Sequence, residues 1–351
     1  MLDQAGAEGL HGSGVFLNPL QVNHLIVDED SAGQRLDNFL FRQLKGVPKT
    51  HVYRIIRSGE VRVNKGRSSA DAKVAAGDVL RIPPVRVSDK PLADQQTTVP
   101  ARSFPILYED DSFMALNKPA GVAVHGGSGV SSGVIEQLRK ARPQSACLEL
   151  VHRLDRETSG VLLVAKKRSA LRALQDQFRE RETGKTYLAL VKGHWPARLK
   201  VIDAPLHKYL LPDGERRVKV VEPTHLDAMR SITLVKLQGH SHAGGALPGN
   251  EAVQTTSLLE VTIKTGRTHQ IRVHLAHAGH CIAGDDKYGD FDWNRVLTRW
   301  GHRRMFLHAW RLVFRHPLTQ AEMILSAPLP DELVSMLQAY DAAIWSAYTG
   351  H

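Results

Sequence analysis

At 351 residues, with 42% hydrophobic side chains, the chain can fill one large domain and a small one, which excludes an extended disordered tail. Its two cysteines, Cys147 and Cys281, are too few for a disulfide framework and lack the paired spacing of a zinc site, a usage that fits a reducing, cytoplasmic compartment. The formal net charge of +10 is unevenly placed: residues 1–30 hold five acids and no Lys or Arg, whereas residues 31–87 hold twelve Lys and Arg against four acids.

Residues 1–22 have neither a basic n-region nor a long apolar run and read as a flexible leader. No later stretch approaches the roughly 18 apolar residues of a membrane span, so no membrane partner is expected. In "GQRLDNFLFRQL", Leu36, Phe39, Leu40 and Leu44 fall at helical spacing, and "KTHVYRIIRSGEV" repeats the pattern with Val52, Ile55 and Ile56 before Gly59 ends the helix. "EVRVNKGR" then alternates into an Asn-Lys-Gly turn, and "AAGDVLRIPP" offers a second strand that stops at a double proline. Arg54 and Arg57 fall on the polar face of the second helix, while Arg62, Lys65 and Arg67 line the hairpin. Over residues 31–87 this pattern resembles the S4 RNA-binding domain. The resemblance implies a basic RNA-facing surface, with Arg35, Lys49, Arg54, Arg57, Arg62, Lys65 and Arg67 as candidate phosphate contacts. Each charge taken singly is equally a solvated face.

Residues 88–103 are polar and without period, and read as a linker. A second domain, residues 104–345, opens with "FPILYEDDSFMALNKPAGVAVHGG", two apolar runs around an acidic turn followed by a Pro-Gly bend, which predicts a hairpin. Next comes "HRLDRETSGVLLVAKK", where Asp155 sits between Arg153 and Arg156 on a tight connection between the apolar runs "LELV" and "GVLLVAKK". Ser169 is placed to cap a helix whose Leu171, Leu174 and Phe178 form one face and which Gly184 closes. An aspartate between arginines is, by itself, more often a structural ion pair than a reacting group.

The longer string changes that weighting. "HRLDRETSG" with "VLLVAKK" resembles the signature of the RluA-type pseudouridine synthases, which isomerise uridine in RNA to its C-glycoside. Matches follow in order: "NKPAGVAVHGG" at 117–127, "KTYLALVKG" at 185–193, "TGRTHQIRVHLAHAGHCIAGDDKYG" at 265–289 and "LHAWRLVFRHP" at 307–317. The resemblance implies an α+β protein: the small S4-like module, then a catalytic domain with a mixed, mainly antiparallel sheet flanked by helices. It implies Asp155 as the catalytic acid, Tyr187 as the residue that stacks on the uracil, and Arg267 as the basic residue that pairs with the catalytic carboxylate. Arg153 matches a residue that enters the space left by the extruded base, a role suited to a planar cation, although a phosphate contact is the simpler reading. The implied partner is 23S ribosomal RNA, acted on by a monomer with no cofactor and no metal. Cys281 stands where the family usually has proline.

The reaction cuts the N1 glycosidic bond, turns the uracil and rejoins it through C5, so no electrons move and no water is consumed. One ionised carboxylate beside the ribose could act as nucleophile at C1′ or as base at C2′, and the residues leave both open. Burial would raise its pKa and a neighbouring guanidinium would oppose that rise. His269, His274, His277 and His280 crowd one segment but have no carboxylate or thiolate in a metal-ligand pattern; His152 and His269 read as loop-fixing hydrogen-bonders. Residues 239–253, rich in Gly, His and Ala, read as an inserted loop, and Leu333, Leu337 and Tyr340 predict a closing helix from Asp331 to Trp345. Two other classes compete: a non-catalytic RNA-binding protein that keeps the fold, and a glycosidase, which needs a second acid about 5–10 Å from the first.

Overall fold

A computed structural model of the chain describes residues 18, 21–44, 47–85, 101–126, 132–145, 147–241 and 255–340. Most of the expected leader (1–22), most of the linker (88–103), residues 242–253 of the expected loop and the end of the closing helix (341–345) lie outside them. The chain divides into two compact units, residues 1–98 and 99–351.

In the first unit, helices α1 (Leu36–Gln43) and α2 (Lys49–Arg57) form where the apolar spacing predicts. Leu36, Phe39, Leu40, Val52, Ile55 and Ile56 are all buried in one core. Strand β1 (Asn23–Ile26) lies ahead of residue 31, where the sequence pattern opens this domain, and pairs antiparallel with β3 (Val79–Ile82), which also pairs with β2 (Arg62–Val63). The Asn-Lys turn after β2 is a two-residue loop with both φ positive, Asn64 at 49° and Lys65 at 68°. Val63 and Gly66 exchange N–H to carbonyl bonds of 3.0 and 2.9 Å across it, the mirror-image turn that suits the twist of a hairpin.

The second unit carries strands β4 (Ile106–Glu109), β5 (Phe113–Lys118), β6 (Glu149–Leu150), β7 (Ser159–Ala165), β8 (Gly184–Lys192) and β9 (Val201–Asp203). A separate hairpin, β10 (Leu206–Leu210) and β11 (Arg216–Val220), follows, then β12 (Ile232–Ser241), β13 (Thr256–Ile263), β14 (Leu307–Arg315) and β15 (Glu322–Ser326). Its helices are α3 (Val134–Ala141), α4 (Arg168–Glu180), α5 (Gln270–His277), α6 (Phe291–Arg299) and α7 (Asp331–Tyr340). One sheet runs β4-β5-β7-β14-β8-β13-β12-β9, with β6 beside β7 and β15 beside β14. Its pairings are antiparallel except β7 with β14, which is parallel, so the mixed, mainly antiparallel sheet is as expected.

All seven residues of β7 are buried, and alternate ones feed opposite cores, as a strand covered on both faces requires. Val161, Leu163 and Ala165 pack with Leu171 and Leu174 of α4, while Leu162 and Val164 pack with Val134, Ile135 and Leu138 of α3. Each such Leu or Val contributes about 1.5–3 kcal/mol of burial. The strand on which the signature "SGVLLVA" lies is therefore among the most firmly held parts of the unit.

Two sequence expectations are corrected in detail. Helix α4 starts at Arg168 after Lys167, which makes no side-chain cap, so Ser169 lies inside it, and Arg181 at φ 65° ends it while Gly184 already opens β8. The expected loop from 239 starts later, because Gly239 and His240 pair with Leu258 and Ser257 in the β12–β13 ladder.

Candidate active site

The signature residues 151–158 link β6 to β7. Thr158 N–H donates to the Asp155 carbonyl at 3.1 Å, so Asp155 opens a tight turn. Behind it the turn is anchored on two sides. The His152 ring accepts a bond from Leu163 N–H at 3.1 Å and stacks on Phe178 at 4.7 Å; burial draws its pKa down to about 4, which keeps it a neutral acceptor. Lys118, fully buried at the end of β5, donates to the carbonyls of Pro119, Val122 and Arg156 at 2.8, 2.8 and 3.1 Å. Burial draws its pKa down to about 7, with Glu157 and Asp155 opposing that fall. Lys118 thus ties the "NKPAG" bend to the turn that carries Asp155.

The turn borders a cleft of about 510 Å³ lined by Arg153, Asp155, Tyr187, Arg267, His269 and Arg272 among others. Tyr187 comes from β8 and is half-buried; burial, with the Asp155 charge second, pushes its hydroxyl well above the usual phenol range. It remains a neutral phenol. Arg153 is exposed at the rim.

Arg267 lines this cleft but is exposed and makes no ion pair with Asp155 among the described residues. The cation in that place is Arg272 of α5, whose Nη1 lies 3.7 Å from Asp155 Oδ2. Only 3% of its side chain is exposed. Arg272 Nε and Nη2 grip Asp285 at 2.8 and 2.6 Å, and Nη2 also reaches Asp286 at 3.2 Å. Burial opposes the charge on both partners, yet the pairing raises the Arg272 pKa and lowers that of Asp285. The sequence carries a signal for this: an arginine inside the apolar run "QIRVHL" needs a buried acid, and Asp285 of "GDD" follows thirteen residues on.

The loop before α5 is held by Gln270, whose Oε1 accepts from Thr265 Oγ1 at 2.8 Å and Arg267 N–H at 3.1 Å. His269 sits at φ 53°, a left-handed conformation costly for a side-chain-bearing residue, and its Nε2 lies 3.9 Å from Asp155 Oδ2. Of the other histidines of this segment, His274 bonds Thr233 Oγ1 and the Ala204 carbonyl, and His280 bonds the Lys192 carbonyl. They share no metal-like centre among the described residues.

In the first unit, Lys49, Arg54 and Arg57 stand exposed on α2, and Lys65 and Arg67 stand exposed about the hairpin turn, with Arg62 half-buried. Arg35 differs. It forms a two-point pair with buried Asp37 at 3.1 and 2.7 Å, so part of its charge is already matched.

The family model for RNA pseudouridylate synthase matches residues 112–277, and that for the S4 domain matches residues 34–80. The chain is 49% identical over 321 residues to "Ribosomal large subunit pseudouridine synthase C" of Pasteurella multocida, covering 91% of this chain and 94% of that protein. It is 50% identical over 325 residues to the protein of the same name from Yersinia pestis, covering 92% and 96%. Among solved structures, Human RNA Pseudouridylate Synthase Domain Containing 1 superposes with a TM-score of 0.54 at 26% identity, over 68% of this chain and 89% of that one.

Proposed function

The chain belongs to the RNA pseudouridylate synthase family, and from that premise we propose that it isomerises chosen uridines of 23S ribosomal RNA to pseudouridine, with Asp155 as the reacting carboxylate. The observation that supports this reading is a single half-buried carboxylate at the edge of a cleft, with a fixed guanidinium 3.7 Å away and an aromatic face from β8 lining the same cleft. In the reaction the N1–C1′ bond breaks, a C5–C1′ bond forms, the C5 proton leaves and N1 is protonated. An ionised Asp155 serves this sequence either as nucleophile at C1′ or as base towards the C2′ proton. Arg272 holds positive charge at the carboxylate, Tyr187 stacks on the turned-out uracil, and Arg153 enters the space that base leaves. The exposed cations of α2 and the hairpin in the first unit grip phosphates. The enzyme works in the cytoplasm as a monomer, and a redox-neutral isomerisation draws on no cofactor.

Incubation with 23S RNA carrying tritium at uracil C5 tests this. The wild type releases tritium, a mere binder releases none, and a glycosidase frees uracil. Asp155→Asn abolishes release and leaves RNA binding nearly intact; persistent release from that variant would remove Asp155 from its role.

A further inference from the structure

Tyr288, in the turn after Asp285, is placed behind His269. The Tyr288 hydroxyl oxygen accepts from Val218 N–H of β11 at 3.0 Å and stands 2.8 Å from His269 Nδ1. A phenol has one proton to give, and its oxygen here already accepts one bond. The arrangement that satisfies all three groups has Tyr288 O–H donating to Nδ1. His269 Nδ1 is then an acceptor, and the imidazole proton sits on Nε2, the nitrogen that faces Asp155 Oδ2 at 3.9 Å. Arg272 and Arg217 lie over the Tyr288 ring at 5.2 and 5.7 Å, and the backbone N–H of Tyr288 is bound by Asp285 at 3.0 Å, so the phenol is fixed as well as paired.

We infer that Tyr288 and His269 form a directed hydrogen-bond relay that presents a neutral Nε2–H to Oδ2 of the Asp155 carboxylate, the oxygen that Arg272 also faces, making His269 a positioning residue for the isomerisation. The inference rests on the reading of Asp155 as the reacting group. Bonds of this kind are often long in a free enzyme and shorten when substrate closes the site. The groups that act on His269 are Asp155, Arg272, Lys287 and Asp285. Burial, aided by the two cations, keeps the ring below the usual imidazole pKa against the pull of the two carboxylates, so it is a neutral donor at pH 7. Burial likewise raises the Tyr288 pKa and keeps its proton in place. Arg272 Nη1 and this N–H thus face the same oxygen, at 3.7 and 3.9 Å, as two fixed donors that close on it together when RNA arrives, which also explains why a non-glycine residue is kept at φ 53°.

Nitrogen NMR of the full-length protein labelled at histidine reads the tautomer directly, with the resonance of His269 identified by its loss in His269→Gln. At pH 7 the wild type shows the Nε2–H form. Tyr288→Phe, which keeps the ring under both guanidiniums, mixes the tautomers and lowers kcat about tenfold, with KM within about twofold. His269→Gln, which keeps an N–H donor, retains more of kcat than His269→Ala. A wild-type ring in the Nδ1–H form, or equal losses in the Gln and Ala variants, overturns the relay. Because Asp155→Asn is assayed alongside, activity surviving in that variant marks failure of the underlying site, whereas an inactive Asp155→Asn beside an unaffected Tyr288→Phe marks failure of the relay alone.

Discussion

Arg272 Nη1 lies 3.7 Å from Asp155 Oδ2 and is kept there by a third residue, Asp285, which holds two other nitrogens of the same guanidinium. Arg272→Met leaves Asp285, 1% exposed, charged and unpaired, and lowers stability by about 3–5 kcal/mol in urea unfolding. The double variant Arg272→Met/Asp285→Leu recovers most of that stability and none of the tritium release. Recovery of both would reduce Arg272 to a structural partner.

Tyr187 is expected to act through its ring. Base–aromatic stacking is worth about 1–3 kcal/mol, so Tyr187→Ala loses roughly 5- to 150-fold in kcat/KM, whereas Tyr187→Phe stays within about fivefold. Single-turnover assays on ribosomal RNA separate the two. A Phe variant as poor as the Ala variant would shift the role to the hydroxyl.

Gly160 has φ 114°, and a Cβ there would stand 2.2 Å from the Ala309 carbonyl oxygen of β14. Neither strand can retreat, because β7 is packed on both faces. Gly160→Ala therefore costs about 2–5 kcal/mol from overpacking and backbone strain, measured by chemical denaturation. Unchanged stability would mean that the β7–β14 junction is looser than the structure shows.

Acid weakens the same junction. His308 is fully buried; its Nδ1 meets Ser159 Oγ at 2.7 Å and its Nε2 meets the Ala327 carbonyl at 3.1 Å. Burial draws its pKa down to about 4, against the Ala327 bond. The unfolded chain takes up a proton near the ordinary imidazole value of about 6.5 and the folded chain resists until about 4, so stability is full above that window and falls across it. Between pH 6.5 and 5 this residue accounts for about 1.6 kcal/mol of lost stability, read by urea unfolding. His308→Gln lowers stability at pH 7 and flattens that slope; an unaltered slope would assign the effect elsewhere.

Much of this is legible in the sequence, for identifiable reasons. The helices of the first unit follow an unbroken apolar spacing, and Asn-Lys-Gly after an alternating run names its own turn. Asp155 stands out because its whole string matches a family signature. The partner of Asp155 is displaced by five residues, from Arg267 to Arg272, because a charge in a buried helix face has no period of its own and is explained only by an acid that the fold brings to it. The ends of α4 differ from expectation for a related reason: Ser169 has a capping side chain, but the backbone starts the helix without using it, and Arg181 adopts the left-handed stop that a glycine would ordinarily supply. Tyr288 gives no signal, since its value lies in which two groups meet at one oxygen.

The sheet order also constrains when the protein can become competent during synthesis. The turn with Asp155 leads into β7 and the ring of Tyr187 stands on β8, but these strands are not neighbours: β14, residues 307–315, lies between them. A nascent chain that has delivered both residues from the ribosome still lacks the strand that sets the spacing between them. Until Leu307–Arg315 emerges, acid and ring belong to separate, unjoined halves.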